Sequence, residues 1–477
     1  MWWLNAVVYQ IYPRSFQDSD GDGVGDLPGI TARLEHVARL GADAIWLSPI
    51  HPSPLADFGY DVADYTAVDQ TLGTLADFDG LVDAAHARGL RILMDLVPCH
   101  TSIEHPWFRA HPDWYIWADR GPPNNWVASF GGSAWSRDPG SGRWYLHSFF
   151  EEQPDLDWRN PEVAAAIGDV VAFWLDRGVD GFRVDALDRL LKDAALRDDP
   201  PARGAPPLPL HPELARLERT RSTDQPDVGR PLGALREAIG EHVMIGEVYL
   251  PTARLGPYLE HLDVAFSFEL LHAPLEPARL REVITGALET GKAGWVVSNH
   301  DFPRLASRVG AEKVRVVSML LLTLPGPVFI YQGDELGMAD GPVGDPPLDR
   351  FGRDGARTPM QWEPTAGGGF TTGTPWLGLA DPHDRNVADQ EADGDSVLRL
   401  YRDLIALRRE LPADLRFLET ADTVLAYRRG DLVVALNLGD SPAPSPPHGE
   451  VLLWSDRRPV DEGSVLLPHT GWVARAN

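Results

Sequence analysis

Short apolar segments recur along the first two thirds of the chain, and each is followed by a stretch of helical spacing or by a loop. The apolar segments cover residues 7–13, 44–48, 91–97, 181–186, 243–249, 264–269, 294–301 and 327–335. Most are continuous apolar runs rather than strict alternations of apolar and polar residues. Such runs are typical of strands that are buried on both faces, as in a parallel sheet.

The stretches between the apolar segments carry apolar residues at helical spacing. The clearest is 160–180, where Asn160 is suited to cap a helix, Pro161 to its first turn and Gly178 to its end. Residues 29–43 and 78–90 repeat this pattern. Eight strands alternating with helices predict an α/β fold, a closed (β/α)8 or TIM barrel.

Three regions do not fit a simple barrel. Residues 101–157 are rich in Trp, Pro, Gly and Asn, which predicts a subdomain with little helix, inserted after the third strand. Residues 197–230 include a proline-rich stretch that is interpreted as a surface loop. Short strand-like segments after a final helix predict a small antiparallel β domain over 412–477. The catalytic barrel then comprises 1–100 and 158–411.

Composition narrows the class of ligand. The 477 residues carry a formal net charge of −27, which disfavours nucleic acids and anionic membranes and suits small neutral ligands. Cys99 is the single cysteine, so an internal disulfide is excluded and a reducing compartment is favoured. Neither a transmembrane segment nor a signal peptide is predicted, so the expected location is the cytoplasm. The oligomeric state stays open.

Acidic side chains lie at or near the carboxyl ends of four predicted strands: Asp95, Asp185, Glu247 and Asp301. In a (β/α)8 barrel these ends form the active face. Arg183 and Asp185 are two residues apart on one strand and therefore point to the same side. Carboxyl groups confined together acquire different pKa values, so one can stay ionised while another holds a proton. That pair of states serves glycosidic bond cleavage.

Seven motifs of the sequence resemble those of the α-amylase family, glycoside hydrolase family thirteen, and of its α-glucosidase and oligo-1,6-glucosidase branch. Four resemble the signature segments of the family: DLVPCH, GFRVDALD, GEVY and SNHD. Three more support them: DFGYDVADY, QPDLDWRNPEV and ARTPMQW. The resemblance extends over nearly the whole chain. Cys99 departs from it, because the family usually has asparagine there, and altered support of the site is expected rather than altered chemistry.

The resemblance implies a role for each motif residue. Asp185 is expected to be the nucleophile that forms a covalent glucosyl-enzyme, Glu247 the acid and base, and Asp301 the third acid. The residues expected to bind substrate are Asp57, Tyr60, His100, Phe149, Gln153, Arg183, His300 and Arg357. Asp57 and Arg357 are expected to pair and to close the glucose pocket. The implied function is a retaining, exo-acting α-glucosidase on short oligosaccharides.

Linkage preference is expected to depend on Ala186, the residue after the implied nucleophile. In this branch a valine at that place accompanies α-1,6 preference, whereas a smaller residue accompanies acceptance of α-1,4 bonds. Activity on maltose is therefore expected.

An acidic loop follows the first predicted strand. Asp18, Asp20, Asp22 and Asp26, with the carbonyl of Val24, have the spacing of the first ligands of an EF-hand loop. The twelfth position is Gly29 rather than Glu, so the full motif is not present. With the family resemblance, the loop predicts one structural Ca²⁺, with Mg²⁺ as the alternative. The other interpretation is a solvated acidic turn. No organic cofactor is expected.

Three other functions are compatible with parts of this pattern. A transglucosylase or sucrose isomerase would use the same residues and differ in what intercepts the glucosyl-enzyme. An enolase-like barrel would hold Mg²⁺ on three carboxylates, but a guanidinium beside them would repel the metal. A catalytically inactive binding protein would be expected to lack one of the three acids, and this chain retains all three.

Overall fold

A computed structural model describes residues 1–456 and 465–476. Its strands, in chain order, are β1 (Val7–Ile11), β2 (Ala44–Leu47), β3 (Arg91–Leu96), β4 (Trp117–Ala118), β5 (Trp135–Arg137), β6 (Trp144–Leu146), β7 (Gly181–Val184), β8 (Val243–Gly246), β9 (Val264–Phe266), β10 (Ala293–Val296), β11 (Val328–Tyr331), β12 (Arg416–Phe417), β13 (Val424–Arg429), β14 (Leu432–Asn437), β15 (Ala443–Pro444), β16 (Val451–Trp454), β17 (Val465–Leu466) and β18 (Gly471–Arg475).

The α-helices, in chain order, are α1 (Leu27–Leu40), α2 (Leu75–His86), α3 (Pro106–Ala110), α4 (Pro161–Leu175), α5 (Gly229–Ile239), α6 (Gly256–Leu259), α7 (Phe268–His272), α8 (Pro277–Glu289), α9 (Leu305–Val309), α10 (Val314–Thr323), α11 (Val387–Ala392) and α12 (Val397–Arg408). Short 3-10 turns connect several of them. None of the helices in the described part of the chain combines the length and apolar composition needed to cross a membrane.

Eight parallel strands form a closed barrel in the order β1, β11, β10, β9, β8, β7, β3 and β2. They are the eight apolar segments recognised in the sequence, so the predicted (β/α)8 barrel is confirmed. Parallel pairing sets Asp95 on β3 opposite Arg183 on β7, and Arg183 opposite Ile245 on β8. This register brings the polar ends of neighbouring strands to one level.

Helix α4 shows how local sequence determines an element. The Asn160 side chain caps the helix by accepting the N–H of Glu162, and Pro161 occupies the first turn. The helix ends at Leu175 rather than at Gly178, because the last turn tightens and the Gly178 N–H bonds to the carbonyl of Leu175. Gly178 itself adopts a φ of 90°, which reverses the chain toward β7.

Contacts divide the chain into two compact units. One comprises Met1–Ile45, Asp83–Arg91 and Glu269–Asn477, and the other comprises Trp46–Val82 and Ile92–Phe268. The second unit contains the segment predicted as an insertion. There, β4, β6 and β5 form a three-stranded antiparallel sheet around buried Trp126 and Trp135. Residues 197–228 form irregular structure with one 3-10 turn, Leu214–Arg216.

The first unit ends in an antiparallel β domain. Strands β12, β13, β14, β18 and β16 form its main sheet, and β15 pairs with β17. Buried Val433, Ala435 and Trp472 contribute to its core. An antiparallel domain after the barrel is thus confirmed, although residues 457–464 and 477 of the predicted 412–477 lie outside the described residues. The exact domain boundaries proposed from the sequence stay a prediction.

Candidate active site

Arg183 forms the centre of an acidic cluster at the carboxyl ends of β3, β7 and β8. Its Nη1 donates to Asp95 Oδ1 at 2.6 Å and to Asp185 Oδ1 at 2.7 Å. Its Nη2 lies 2.7 Å from Glu247 Oε2. Three carboxyl groups therefore share one guanidinium, as the opposed positions of these residues on neighbouring strands allow.

The members of this cluster differ in exposure. The side chains of Asp95 and Arg183 are 0% and 1% exposed, whereas those of Asp185 and Glu247 are 9% and 17% exposed. Asp95 also accepts the hydroxyl of Tyr60 at 2.9 Å and the indole N–H of Trp46 at 3.2 Å. Asp95 thus orients Arg183 and Tyr60, while Asp185 and Glu247 remain accessible to a ligand.

Burial determines the protonation of the cluster. It raises the pKa of Asp95 to about 6, against the opposing effect of Arg183. Burial, and then the charge of Glu247, raises the pKa of Asp185 well above its usual range. Although burial disfavours a charged arginine, Asp95 and Glu247 raise the pKa of Arg183 well above its usual range, so it stays charged. One cation cannot neutralise three carboxylates, and the cluster therefore retains a proton at neutral pH.

The backbone between the two accessible acids is unusual. Ala186 adopts a left-handed conformation with φ 48° and ψ 44°, and its N–H donates to Glu247 Oε2 at 3.1 Å. The carbonyl of Glu247 accepts the N–H of Leu187. The segment after β7 is thus tied to the segment after β8, which fixes Asp185 relative to Glu247.

Asp57, Tyr60, His100 and Gln153 lie together in the same unit. The Gln153 amide Nε2 donates to Asp57 Oδ2 at 2.9 Å and lies 3.0 Å from His100 Nε2. His100 Nε2 is also 3.0 Å from the carbonyl of Tyr60, and its ring packs against Phe149 with 5.1 Å between centroids. Burial lowers the pKa of His100, so the imidazole is neutral at neutral pH. Five predicted residues thus form one hydrogen-bonded and packed group.

Asp301 occupies an arginine-rich environment in the other unit. Its Oδ1 lies 3.0 Å from Arg353 Nη1 and 3.4 Å from Arg357 Nη2. His300 Nε2 lies 3.5 Å from Asp301 Oδ2, and Arg357 Nε donates to the carbonyl of His300 at 2.9 Å. The structure therefore brings Asp301, His300 and Arg357 together. The pairing of Asp57 with Arg357 stays a prediction.

Two residues of these clusters, Arg353 and Asp95, were not singled out as ligands from the sequence. Arg353 is the second cation on Asp301, and it also pairs with buried Asp349 at 2.8 Å. Asp95 was noted only as an acid at a strand end. Position within a motif identifies neither, because each acts through a partner distant in sequence.

Cys99 lies beside a buried ion pair. Lys192 Nζ is 2.7 Å from Asp155 Oδ2 and donates to the carbonyl of Arg189. The Cys99 Sγ lies 3.6 Å from that same carbonyl, and burial raises the pKa of the thiol. Cys99, His100 and Asp155 are close enough to hold a metal, but Lys192 already supplies the positive charge and the thiol stays protonated. Cys99 is therefore a packing residue with a weak hydrogen bond.

The acidic loop after β1 brings three of its predicted ligands together. Carboxylate oxygens of Asp18, Asp20 and Asp22 lie within 4.8 Å of one another. Asp26 instead caps α1, accepting the Gly29 N–H at 2.6 Å with one oxygen and the Ser19 N–H at 2.8 Å with the other. Hard oxygen donors in this arrangement fit a divalent cation such as Ca²⁺.

Comparison with known proteins gives a consistent result. The model described as "Alpha amylase, catalytic domain" matches residues 10–415, and "Domain of unknown function (DUF3459)" matches 416–473. A "Probable alpha-glucosidase" of Rhizobium meliloti (strain 1021) is 44% identical over 90% of this chain and 87% of its own. An "Oligo-1,6-glucosidase" of Halalkalibacterium halodurans is 36% identical over 90% and 88%. The crystal structure of XgtA, an "alpha-glucosyl transfer enzyme", superposes with a TM-score of 0.92, at 40% identity over 100% of this chain and 99% of its own.

Proposed function

The chain is a glycoside hydrolase of the alpha-amylase family, and from that premise we propose that it is a retaining, exo-acting α-glucosidase. Its substrates would be short neutral oligosaccharides with a terminal α-linked glucose, α-1,4 bonds included. The observation that carries this proposal is the bridging of Asp185 and Glu247 by one guanidinium. Carboxyl groups held this closely suit the roughly 5 Å separation of retaining enzymes rather than the 6.5–9.5 Å of inverting ones.

In the first step, Asp185 attacks the anomeric carbon while Glu247 protonates the departing glycosidic oxygen. The bond between the anomeric carbon and that oxygen breaks, and a glucosyl ester of Asp185 forms. In the second step, Glu247 takes a proton from water, the water oxygen attacks the anomeric carbon, and Asp185 leaves. Burial and the charge of Glu247 raise the pKa of Asp185, so the retained proton is productive only in the form of the cluster that places it on Glu247 and leaves Asp185 ionised.

Arg183 supports this exchange of roles. Its charge favours ionised Asp185, and its second nitrogen contacts the Glu247 carboxyl from the same side. Asp301 is assigned to the third acid, which holds sugar hydroxyls. Arg353 and Arg357 lie 3.0 and 3.4 Å from Asp301 Oδ1 and would hold that carboxyl group in place.

Exo action would depend on Asp57 and Arg357 as hydrogen-bonding groups for the terminal hydroxyls of the glucose. The Asp57 carboxylate is buried and oriented by Gln153. A charge-assisted hydrogen bond from such a group contributes roughly 1.5–3 kcal/mol. A further glucose on the terminal hydroxyl would remove that bond, so internal bonds of starch would be poor substrates.

Glucosyl transfer is the second candidate function. It is supported by the likeness to XgtA, and it uses the same two steps with a sugar hydroxyl in place of water. Sucrose isomerisation would differ only in returning fructose to the intermediate. The residues at the anomeric carbon are the same in all three reactions, so the products distinguish them.

We also propose that Asp18, Asp20 and Asp22 hold a structural Ca²⁺, with Mg²⁺ as the alternative. The cation would neutralise three neighbouring carboxylates and hold the loop after β1. No catalytic step requires it.

The test is product analysis on maltose, isomaltose, sucrose, trehalose and soluble starch. We expect glucose from maltose, little from starch, and the α-anomer as the first product by NMR. Initial formation of β-glucose would contradict the retaining mechanism, and no glucose from maltose would contradict the proposed substrate class. Dominance of oligosaccharides or sucrose isomers at high substrate concentration would favour transfer over hydrolysis.

A further inference from the structure

A pocket of about 420 Å³ lies beside the segment that follows Glu247. Tyr249, Leu250 and Pro251 line one side and begin two residues after Glu247. The proline-rich loop lines another side, and the Tyr249 hydroxyl donates to the carbonyl of Pro209 at 3.1 Å. Since Glu247 is proposed to protonate the leaving oxygen, a wall that starts two residues after it would lie on the leaving-group side of the reaction.

The charge of this pocket is opposite to that of the protein. Its charged lining residues are Arg203, Arg219, Arg254 and Glu218, that is three cations and one anion. The whole chain instead carries 43 Lys and Arg against 70 Asp and Glu. The remaining lining residues are mostly Ala, Pro and Leu, which would strengthen an electrostatic contact by excluding water.

Arg219 is the least satisfied of these cations. Its side chain is 10% exposed, and its buried Nε and Nη2 have no hydrogen-bond partner within the described residues. The carboxylate oxygen Asp188 Oδ2 lies 3.7 Å from Nη2 and is nearer to Arg189, at 3.2 Å from its Nε. Burial and the neighbouring arginines lower the pKa of Arg219 to about 9, and the charges of Asp188 and Asp199 offset this only in part.

The other charges around Arg219 already have partners. Arg254 pairs with Asp224, which also accepts the hydroxyl of Tyr258 at 2.8 Å. Asp199 accepts the N–H of Arg221 at 2.7 Å and the hydroxyl of Ser222. Arg203 is largely exposed and lies 3.8 Å from Glu218. Arg219 is thus the pocket cation whose bonding capacity is least used.

We propose that this pocket recognises a carboxylate or phosphate group on the leaving part of the substrate, with Arg219 as its main ligand. The inference rests on the proposed α-glucosidase function and extends its substrate class from neutral to anionic glucosides. Neutral disaccharides would be cleaved, but α-glucosides of sugar acids or sugar phosphates would be preferred. The same contact would orient an anionic acceptor in glucosyl transfer.

The experiment compares two substrates that differ at one carbon. Maltobionate carries a carboxylate where maltitol carries a hydroxymethyl group, and both present an α-1,4-linked glucose. We expect wild-type kcat/KM to be roughly ten- to a hundred-fold higher for maltobionate, the range for one hydrogen bond between charged groups. The preference should decrease with added salt.

The variant Arg219→Gln should bring the maltobionate-to-maltitol ratio close to one, and Arg219→Lys should retain part of the preference. The matched control is Arg216→Gln, because Arg216 is exposed and is not among the pocket residues; it should leave the ratio unchanged.

If Arg219→Gln does not fold, product inhibition of the wild type tests the inference instead. Gluconate should then inhibit more strongly than sorbitol, and stronger inhibition by sorbitol 6-phosphate than by sorbitol would identify phosphate as a second ligand.

A wild-type ratio of one or below, or an unchanged ratio in folded Arg219→Gln, would overturn the inference while leaving the α-glucosidase function intact. Equal inhibition by gluconate and sorbitol would overturn it as well. Failure to cleave maltose, maltitol and maltobionate alike would instead overturn the proposed function, and the inference with it.

Discussion

Replacing Arg183 by glutamine tests the electrostatics of the acidic cluster. Arg183 contacts Asp95, Asp185 and Glu247 at 2.6–2.7 Å, and its side chain is 1% exposed. Arg183→Gln removes the one cation that these carboxylates share. Breaking a buried ion pair on one side costs about 3–5 kcal/mol, so the free energy of unfolding should fall by that amount near pH 8.

The loss should depend on pH with a definite sign. A carboxyl group whose pKa is raised in the folded state stays neutral while its unfolded counterpart ionises. Its contribution to stability is present below the unfolded pKa, near 4, and is lost as pH rises through the folded pKa. In the wild type, Asp95 loses this contribution up to about pH 6. Without Arg183, the pH range over which this contribution is lost extends to higher pH, because no cation opposes the effect of burial on the carboxyl pKa values.

Each proton retained by the folded variant lowers the free energy of unfolding by about 1.4 kcal/mol per pH unit. The effect of Arg183→Gln should therefore be about 2–4 kcal/mol larger at pH 8 than at pH 5. Urea unfolding at both pH values measures the difference. The control is Arg177→Gln, whose partner Asp79 is 47% exposed; it should cost under about 1 kcal/mol at either pH. Equal losses for Arg183→Gln at pH 5 and pH 8 would refute the reasoning.

Four further predictions concern catalysis, substrate and metal. Asp185→Ala should lower kcat by several powers of ten, and mass spectrometry of Glu247→Gln treated with an activated aryl α-glucoside should find one hexose on the peptide containing Asp185. A hexose on another peptide would contradict the assignment. A chelator should lower the Tm of the wild type and not that of Asp20→Asn, with activity of the folded enzyme unchanged; loss of activity without unfolding would contradict a structural cation. Ala186→Val should shift activity from maltose toward isomaltose and cost about 1–3 kcal/mol, because φ is 48° there; an unchanged substrate ratio would exclude a role in linkage preference. Asp57→Ala should lower kcat/KM on maltose strongly with little change in Tm; lost stability with intact kinetics would indicate instead a salt bridge with Arg357 that only ties two loops together.

Much of the fold could be predicted because it is encoded at short range. Each barrel strand is a local apolar run, and each helix carries its own spacing and caps, as Asn160 and Pro161 do for α4. Alternation of the two elements leaves few topologies besides a barrel. The positions of Arg183 and Asp185 on one face also followed from spacing, because side chains two residues apart on a strand point the same way.

The contacts between residues of the site could be identified only from the tertiary structure. Lys192 reaches Asp155, Arg353 reaches Asp301, and Asp95 accepts Arg183, although each pair is separated by tens of residues in sequence. Asp26 illustrates the same limit, since its spacing suited a metal ligand while its carboxylate caps α1. Local spacing specifies which way a side chain points, but burial and charge depend on what packs beside it. The two nitrogens of Arg219 that lack a hydrogen-bond partner could be identified only from the tertiary structure, because hydrogen bonding depends on the groups packed around a side chain.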